Sequence, residues 1–194
     1  VWILVGSFAY LILVAAIFKL FLAQHEVAMD LHGYRPPDPI MNALPAFDLS
    51  TWIFLCTYGA IVVYILYERK KPFFLEKGLI AYGTLIALRM LTLTFVPWLA
   101  PDDLVFLNDP FLNNVAYPGE IENDLFFSGH VGLALVLGFL ARRVFFFVLA
   151  CILGIFLMIQ RVHYSYDILG ALPFAWAVAW FVEKVLFARL SRTN

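Results

Sequence analysis

The chain has 194 residues, of which 63% are hydrophobic and 14% charged, against roughly 45–50% and about 25% in ordinary soluble domains. That balance excludes a soluble globular protein, and 20 Phe, 9 Tyr and 5 Trp exclude a disordered tail. A formal net charge of -1 with no basic block offers no footprint for nucleic acid.

What is left is a polytopic membrane protein, in which about six helices of roughly 20 residues each would take up most of the chain. Hydrophobic runs predict spans near residues 1–22, 51–67, 79–99, 125–141, 144–159 and 168–187. No internal repeat is visible. Short connections at 68–78 and around Arg142–Arg143 predict antiparallel neighbours in one all-α bundle of six transmembrane helices, a single domain over residues 1–194. The loop at 23–50 carries Pro36, Pro37, Pro39 and Pro45, and the loop at 100–124 carries Pro101, Pro110 and Pro118. Loops of that length in so small a protein read as covers over a functional site. Cys56 and Cys151 fall inside apolar runs and read as packing residues, with neither a disulfide framework nor a zinc site implied.

Lys and Arg collect in alternate loops: Arg69, Lys70, Lys71 and Lys77, then Arg142 and Arg143, then Lys184, Arg189 and Arg192. The positive-inside rule puts these segments and both termini in the cytosol. The opposite side carries Asp102, Asp103, Asp109, Glu120, Glu122 and Asp124, with Arg35 and Arg161 as its loop cations.

Several polar residues lie where a membrane tolerates them poorly. Arg89 stands ten residues before the end of the span predicted at 79–99, and a cation near the bilayer centre costs at least about 2.5–3.5 kcal/mol unless something receives it. It calls for an anion, whether a carboxylate on a neighbouring helix or a bound ligand, and the ligand is the preferred reading. Thr92 and Thr94 offer hydroxyls on the same helix.

His130 and His163 fall at the outer ends of spans, and His163 is four residues before Asp167. If a helix begins by His163, the two share a face, and the carboxylate holds one ring nitrogen while the other keeps its lone pair, as a His nucleophile or base requires. Ser128-Gly129 reads as a helix start whose free N–H groups and dipole suit a phosphate, with Gly129 allowing close approach. Taken singly, a surface cap pair, an interfacial helix start and a helix–helix ion pair account for the same residues. Together, a base, an acid and a fixed cation around an anion-binding helix start describe phosphoryl transfer through a covalent histidine. The set calls for no metal or other cofactor, although the acidic loop is a place for a divalent cation. His25 and His32 read as plain loop residues. Tyr34, Trp98, Tyr117, Tyr164 and Tyr166 read as interfacial aromatics, with a cation–π cradle for a quaternary ammonium as the alternative.

With these residues in view, the chain resembles the sphingomyelin synthase family, a branch of the type 2 phosphatidic acid phosphatase superfamily. Arg35-Pro36-Pro37-Asp38-Pro39 resembles the family's Pro-rich first motif, and the stretch from Arg89 through Thr92 and Thr94 to Pro97 resembles its Arg/Thr/Pro motif. Asp124-Leu125-Phe126-Phe127-Ser128-Gly129-His130 and His163-Tyr164-Ser165-Tyr166-Asp167 resemble its third and fourth motifs. The chain has Phe156 and Leu157 where the wider superfamily carries a Ser-Arg pair, which sphingomyelin synthases also lack. The stretch before Asp124 has no Cys-Gly, and the first motif has Pro-Pro-Asp-Pro for the family's Pro-Pro-Leu-Pro-Asp.

The resemblance implies a His–His–Asp triad on the exoplasmic face, carried onto His130, His163 and Asp167. His163, oriented by Asp167, would attack phosphorus while His130 protonates the departing alcohol and then activates an incoming hydroxyl. Arg89 and the amides of Ser128, Gly129 and His130 would bind the phosphate. The implied partners are a glycerophospholipid donor and a lipid alcohol such as ceramide or diacylglycerol. With water as acceptor the same site makes a lipid phosphatase or a phospholipase C-type hydrolase, and a reading of another class is a non-enzymatic lipid-binding or transport protein.

Overall fold

The computed structural model describes residues 2–109 and 122–188, the side chains of 30–32 excepted. Val1, Pro110, Tyr117, Pro118, Glu120, Arg189 and Arg192 therefore lie outside the described residues, as does the side chain of His32. Within them the chain forms α1 (Trp2–His32), a single turn α2 (Pro39–Asn42), α3 (Ser50–Glu68), α4 (Phe74–Phe95), α5 (Gly129–Ala141), α6 (Val144–Ile159) and α7 (Ser165–Phe181), which runs into a π-helical turn at Val182–Leu186. The all-α expectation holds, and no strand occurs among the described residues, only an isolated bridge between Tyr34 and Trp98. Four helices, α1, α3, α4 and α7 with its π turn, are long and apolar enough to cross a membrane. The prediction of six spans is met only to that extent, because α5 and α6 are apolar but shorter.

Helix boundaries depart from the hydropathy reading for local reasons. The first helix continues ten residues past the predicted span end at 22, turning part of the expected loop into helix. Residues 23–32 lower the hydropathy through His25, Glu26 and Asp30 but contain no breaker before Gly33. At the other end of the bundle, α4 begins five residues before the predicted 79, directly after Pro72 and a left-handed Phe73 (φ 56°). It stops at Phe95 because Val96 precedes Pro97 and is pushed out of the helical region, to φ -124° and ψ 79°. Arg89 is thus six residues, about 9 Å, from the end of its helix. The start of α5 moves from 125 to Gly129 because the segment before it is drawn over Arg89.

The core follows from this layout. α5 is buried along nearly its whole length between α3, α4, α6 and α7, while α1 packs against α4. Small residues set the close approaches: Gly132 meets Leu85 of α4, and Gly154 of α6 meets Ile168 of α7. Apolar side chains also cover the outside, with Ile12 67% and Leu169 69% exposed, the pattern of helices whose outer face meets hydrocarbon.

Gln160 is one of the polar residues that tie the long loops to this bundle. Wholly buried at the end of α6, it has four acceptors sharing the two N–H groups of its Nε2: Asp48 Oδ1 (3.1 Å), Ser50 Oγ (3.0 Å) and the carbonyls of Val105 (3.3 Å) and Phe106 (3.1 Å). Its Oε1 accepts the amide of Leu49, so one amide group joins both loops to the start of α3. Gln160→Leu leaves buried partners without an acceptor or donor and is expected to lower stability by about 2–4 kcal/mol, read as an earlier thermal midpoint in detergent. An unchanged midpoint would mean that the loops are held elsewhere.

Asp48 offers a pH readout. Hydrogen bonds from the Ser50 hydroxyl and amide, and then from Gln160, hold its carboxyl below the usual 3.8. A depressed folded pKa contributes stability that is present above the unfolded value and is lost as pH falls through the folded one. Wild type should therefore lose thermal stability more steeply than Asp48→Asn as pH falls below about 4, and parallel curves would refute this.

Candidate functional site

The site is assembled around Arg89. Its side chain is buried, and its anionic partner is Asp124, with Nη2 2.6 Å from Oδ1. Nη2 also donates to the Asp124 carbonyl (3.2 Å), and Nε donates to the carbonyl of Phe127 (2.8 Å). One turn further on, the Thr92 hydroxyl donates to the carbonyl of Phe126 (2.9 Å). α4 thereby holds the backbone at 124, 126 and 127 just before α5. The expected need for an anion at Arg89 is met inside the chain, and Nη1 makes no hydrogen bond among the described residues. A Cβ at Gly129 would lie 2.5 Å from that Nη1, so only glycine lets the first turn of α5 come this close to the guanidinium.

Ser128 caps α5. Its buried hydroxyl accepts from the amide of Val131 (3.4 Å), and its own amide donates to the carbonyl of Asp167 (3.2 Å). That bond occupies one of the three amides expected to bind phosphate. The amides of Gly129 and His130 come first in the helix and have no intrahelical acceptor. The same bond fastens the start of α5 to the first turn of α7.

At that first turn, Asp167 is fully buried. Its Oδ2 accepts from the amide of Tyr164 (2.9 Å) and lies 3.2 Å from His163 Nδ1. The expected pair is present, but its geometry differs from a shared helical face: α7 begins at Ser165, and His163 lies just outside it. The carboxylate reaches back over the helix start to cap the backbone and hold the ring in one action. His163 Nε2 makes no hydrogen bond among the described residues. His130 meets the edge of Phe54, with ring centroids 5.7 Å apart, and lies within electrostatic range of both His163 and Arg89. The structure thus brings Arg89, Ser128, Gly129, His130, His163 and Asp167 to one end of the bundle.

Other residues complete this end without having been singled out as site residues. Asp38 is buried within the Pro-rich loop; Oδ1 accepts from Ile40 and Met41 (3.0 Å each), and Oδ2 accepts from the amide of Ser165, the first residue of α7 (2.5 Å). Arg161, at a left-handed φ of 61°, donates to the carbonyls of Met41 (2.5 Å) and Leu44 (2.7 Å) and pairs with Asp103 (3.1 Å). Glu26 of α1 accepts from the amides of Glu122 and Asn123 and from the Asn123 side chain, at 2.6–2.9 Å. A sequence signal existed for each: an acid between prolines, and polar side chains in or beside apolar helices.

His25, expected in a loop, is instead buried on α1 and stacked on Phe21 at 5.4 Å, because the helix carries on past its apolar run. Of the aromatics expected at the interface, Trp98, Tyr164 and Tyr166 pack on one another. Trp98 meets Phe126, Tyr164 and Tyr166 edge-on at 5.1, 6.0 and 6.0 Å. The Tyr164 hydroxyl donates to Leu99 and the Tyr166 hydroxyl to Pro37 (2.9 Å each). Burial, and then the Asp167 charge, push the Tyr164 phenol up to about 12, so it stays neutral.

No protein-family model, curated protein or solved structure matches the chain.

Asp38 gives a direct test of the geometry. Asp38→Ala removes the acceptor for the Ser165 amide, a helix-start bond worth about 1–2 kcal/mol. Hydrogen exchange across residues 163–168 should then quicken by about tenfold or more, with Asp38→Asn intermediate. Exchange that does not change in Asp38→Ala would show that α7 is capped by another group.

Proposed function

We propose that this chain is a membrane-embedded phospholipid head-group transferase that works through a phosphohistidine. The observation that carries the reading is a histidine held by a buried carboxylate where the starts of two helices meet beside a buried arginine. With Nδ1–H donated to Asp167, His163 keeps its lone pair on Nε2. It attacks the phosphorus of a glycerophospholipid, forming an N–P bond as the P–O bond to diacylglycerol breaks. His130 passes a proton to the departing alkoxide. A lipid alcohol such as ceramide or diacylglycerol then loses its proton to His130 and attacks phosphorus, breaking the N–P bond and restoring both histidines.

Charge on the phosphoryl oxygens is met by the free amides of Gly129 and His130, by the α5 dipole and by Arg89 Nη1. Arg89 arrives with Asp124 attached, so its contribution is a fixed and partly neutralised charge. Its larger role is to hold the segment that presents those amides.

In this reading all six long helices cross the bilayer, α5 and α6 included, with shorter spans compensated by the protein around them. Arg69, Lys70, Lys71, Lys77, Arg142, Arg143 and Lys184 gather at the end away from His163, and Asp102, Asp103, Asp109, Glu122 and Asp124 near it. That asymmetry supports cytosolic termini and a site on the non-cytosolic face.

The test is product analysis of purified protein in nanodiscs containing head-group-labelled glycerophospholipid, with and without ceramide. Labelled head group should move to the lipid alcohol, and His163→Ala should reduce turnover by at least about 1,000-fold. His130→Ala should accumulate an acid-labile phosphoenzyme if it slows the second step more than the first. Release of the head group to water regardless of acceptor would make the protein a hydrolase on the same site. Turnover indifferent to His163→Ala would remove the enzymatic reading and leave a lipid-binding or transport protein.

A further inference from the structure

Of the two histidines, His163 has a buried carboxylate 3.2 Å from a ring nitrogen, and the surroundings of His130 bring up a second carboxylate by a longer route. His130 meets Phe54 edge-on, with ring centroids 5.7 Å apart and planes at 71°. Phe54 stacks at 5.9 Å on Tyr58, one turn further along α3. The Tyr58 hydroxyl donates to Asp109 Oδ2 at 2.7 Å. Asp109 is 7% exposed, and a carboxylate enclosed to that degree is costly to keep charged unless its charge is answered.

Neighbouring main chain places it there. The amide of Asn108 donates to Ser50 Oγ (3.1 Å), which also accepts from Gln160 Nε2 (3.0 Å), and the amide of Val105 donates to the Gln160 carbonyl (3.2 Å). Residues 105–109 are thereby laid beside the start of α3, and Asp109 arrives at Tyr58 with a neutral hydroxyl on Oδ2. The charged and titratable groups within electrostatic range of His130 are His163, Arg89, Asp124 and Asp109. Asp124 is committed to Arg89 at 2.6 Å, so those two charges largely cancel at His130. The charge of Asp109 is then the one that answers a proton on the His130 ring.

We propose that Asp109, anchored by Tyr58, is a positioning residue for His130, its charge steadying the imidazolium that exists whenever His130 carries the proton of the departing or the incoming alcohol. The inference rests on the phosphohistidine reading of this site. Asp109 stays ionised throughout and forms no bond to phosphorus, while the proton moves only between His130 and an alcohol oxygen. The site then consists of two histidine–carboxylate units, one serving the nucleophile and one the proton carrier.

Two variants divide the charge from its anchor. Asp109→Asn keeps an acceptor for the Tyr58 hydroxyl and removes the charge, whereas Tyr58→Phe keeps the charge and removes the hydrogen bond. The full chain in nanodiscs is assayed with protein in excess, so that only the first displacement is read. The substrates are phosphatidylethanolamine and phosphatidylcholine, each beside the p-nitrophenyl ester of its own phosphorylated head group. Diacylglycerol leaves as an alkoxide that needs a proton, and p-nitrophenolate leaves without one. Asp109→Asn should slow diacylglycerol release by about 100-fold and Tyr58→Phe by about tenfold, with p-nitrophenolate release unchanged in both. Thermal midpoints establish that the variants are intact, and if Asp109→Asn does not fold, Tyr58→Phe decides by the same contrast. Equal slowing of the two kinds of substrate, or diacylglycerol release that neither variant slows, overturns the proposal and leaves the phosphohistidine reading standing. Release that is indifferent to His163→Ala removes that reading, and this inference with it.

Discussion

A guanidinium inside an apolar helix bundle must find its partners within reach of its own planar fork, and the architecture of the site follows from how Arg89 finds them. Asp124 supplies the charge, and the carbonyls of Asp124 and Phe127 supply the remaining acceptors. Those groups belong to the segment leading into α5, so satisfying the arginine also sets where α5 begins. Removing one partner of such a pair leaves the other buried and uncompensated, which costs about 3–5 kcal/mol. The ion pair therefore acts as a register pin between α4 and α5.

The second organising feature is the meeting of two helix starts. A helix start exposes amides and a positive dipole end, and here α5 and α7 present theirs side by side, joined through the Ser128 amide and the Asp167 carbonyl. Two buried carboxylates serve α7: Asp167 takes the Tyr164 amide and Asp38 takes that of Ser165. The amides of Gly129 and His130 at the start of α5 receive no such cap. The polarity left uncompensated at this end is thus concentrated beside the two histidines.

Much of this was legible in the sequence. Composition and run length pointed to an all-helical chain, the cost of burying Arg89 marked it out, and spacing and position at the span ends marked His130, His163 and Asp167. Boundaries were less legible because hydropathy measures apolarity while a helix ends at a breaker. The first helix therefore ran on through His25 and Glu26 to Gly33, and α4 stopped short of Pro97. Spacing predicted the contact between His163 and Asp167, but the backbone cap that creates it depends on where α7 starts. Gln160 and Asp38 went unrecognised as anchors because their partners are 48–50, 105–106 and 165, distant positions that only the folded chain brings near.

The loops over the site are held largely by their main chain. Arg161 binds the carbonyls of Met41 and Leu44, Gln160 those of Val105 and Phe106, Arg35 that of Ala100, Tyr164 that of Leu99 and Tyr166 that of Pro37. A carbonyl accepts a hydrogen bond whatever side chain its residue carries. Mutation can therefore exchange the loop side chains over the site while the fastenings beneath them stay in place. Such a scaffold can diverge in what it admits without first being rebuilt.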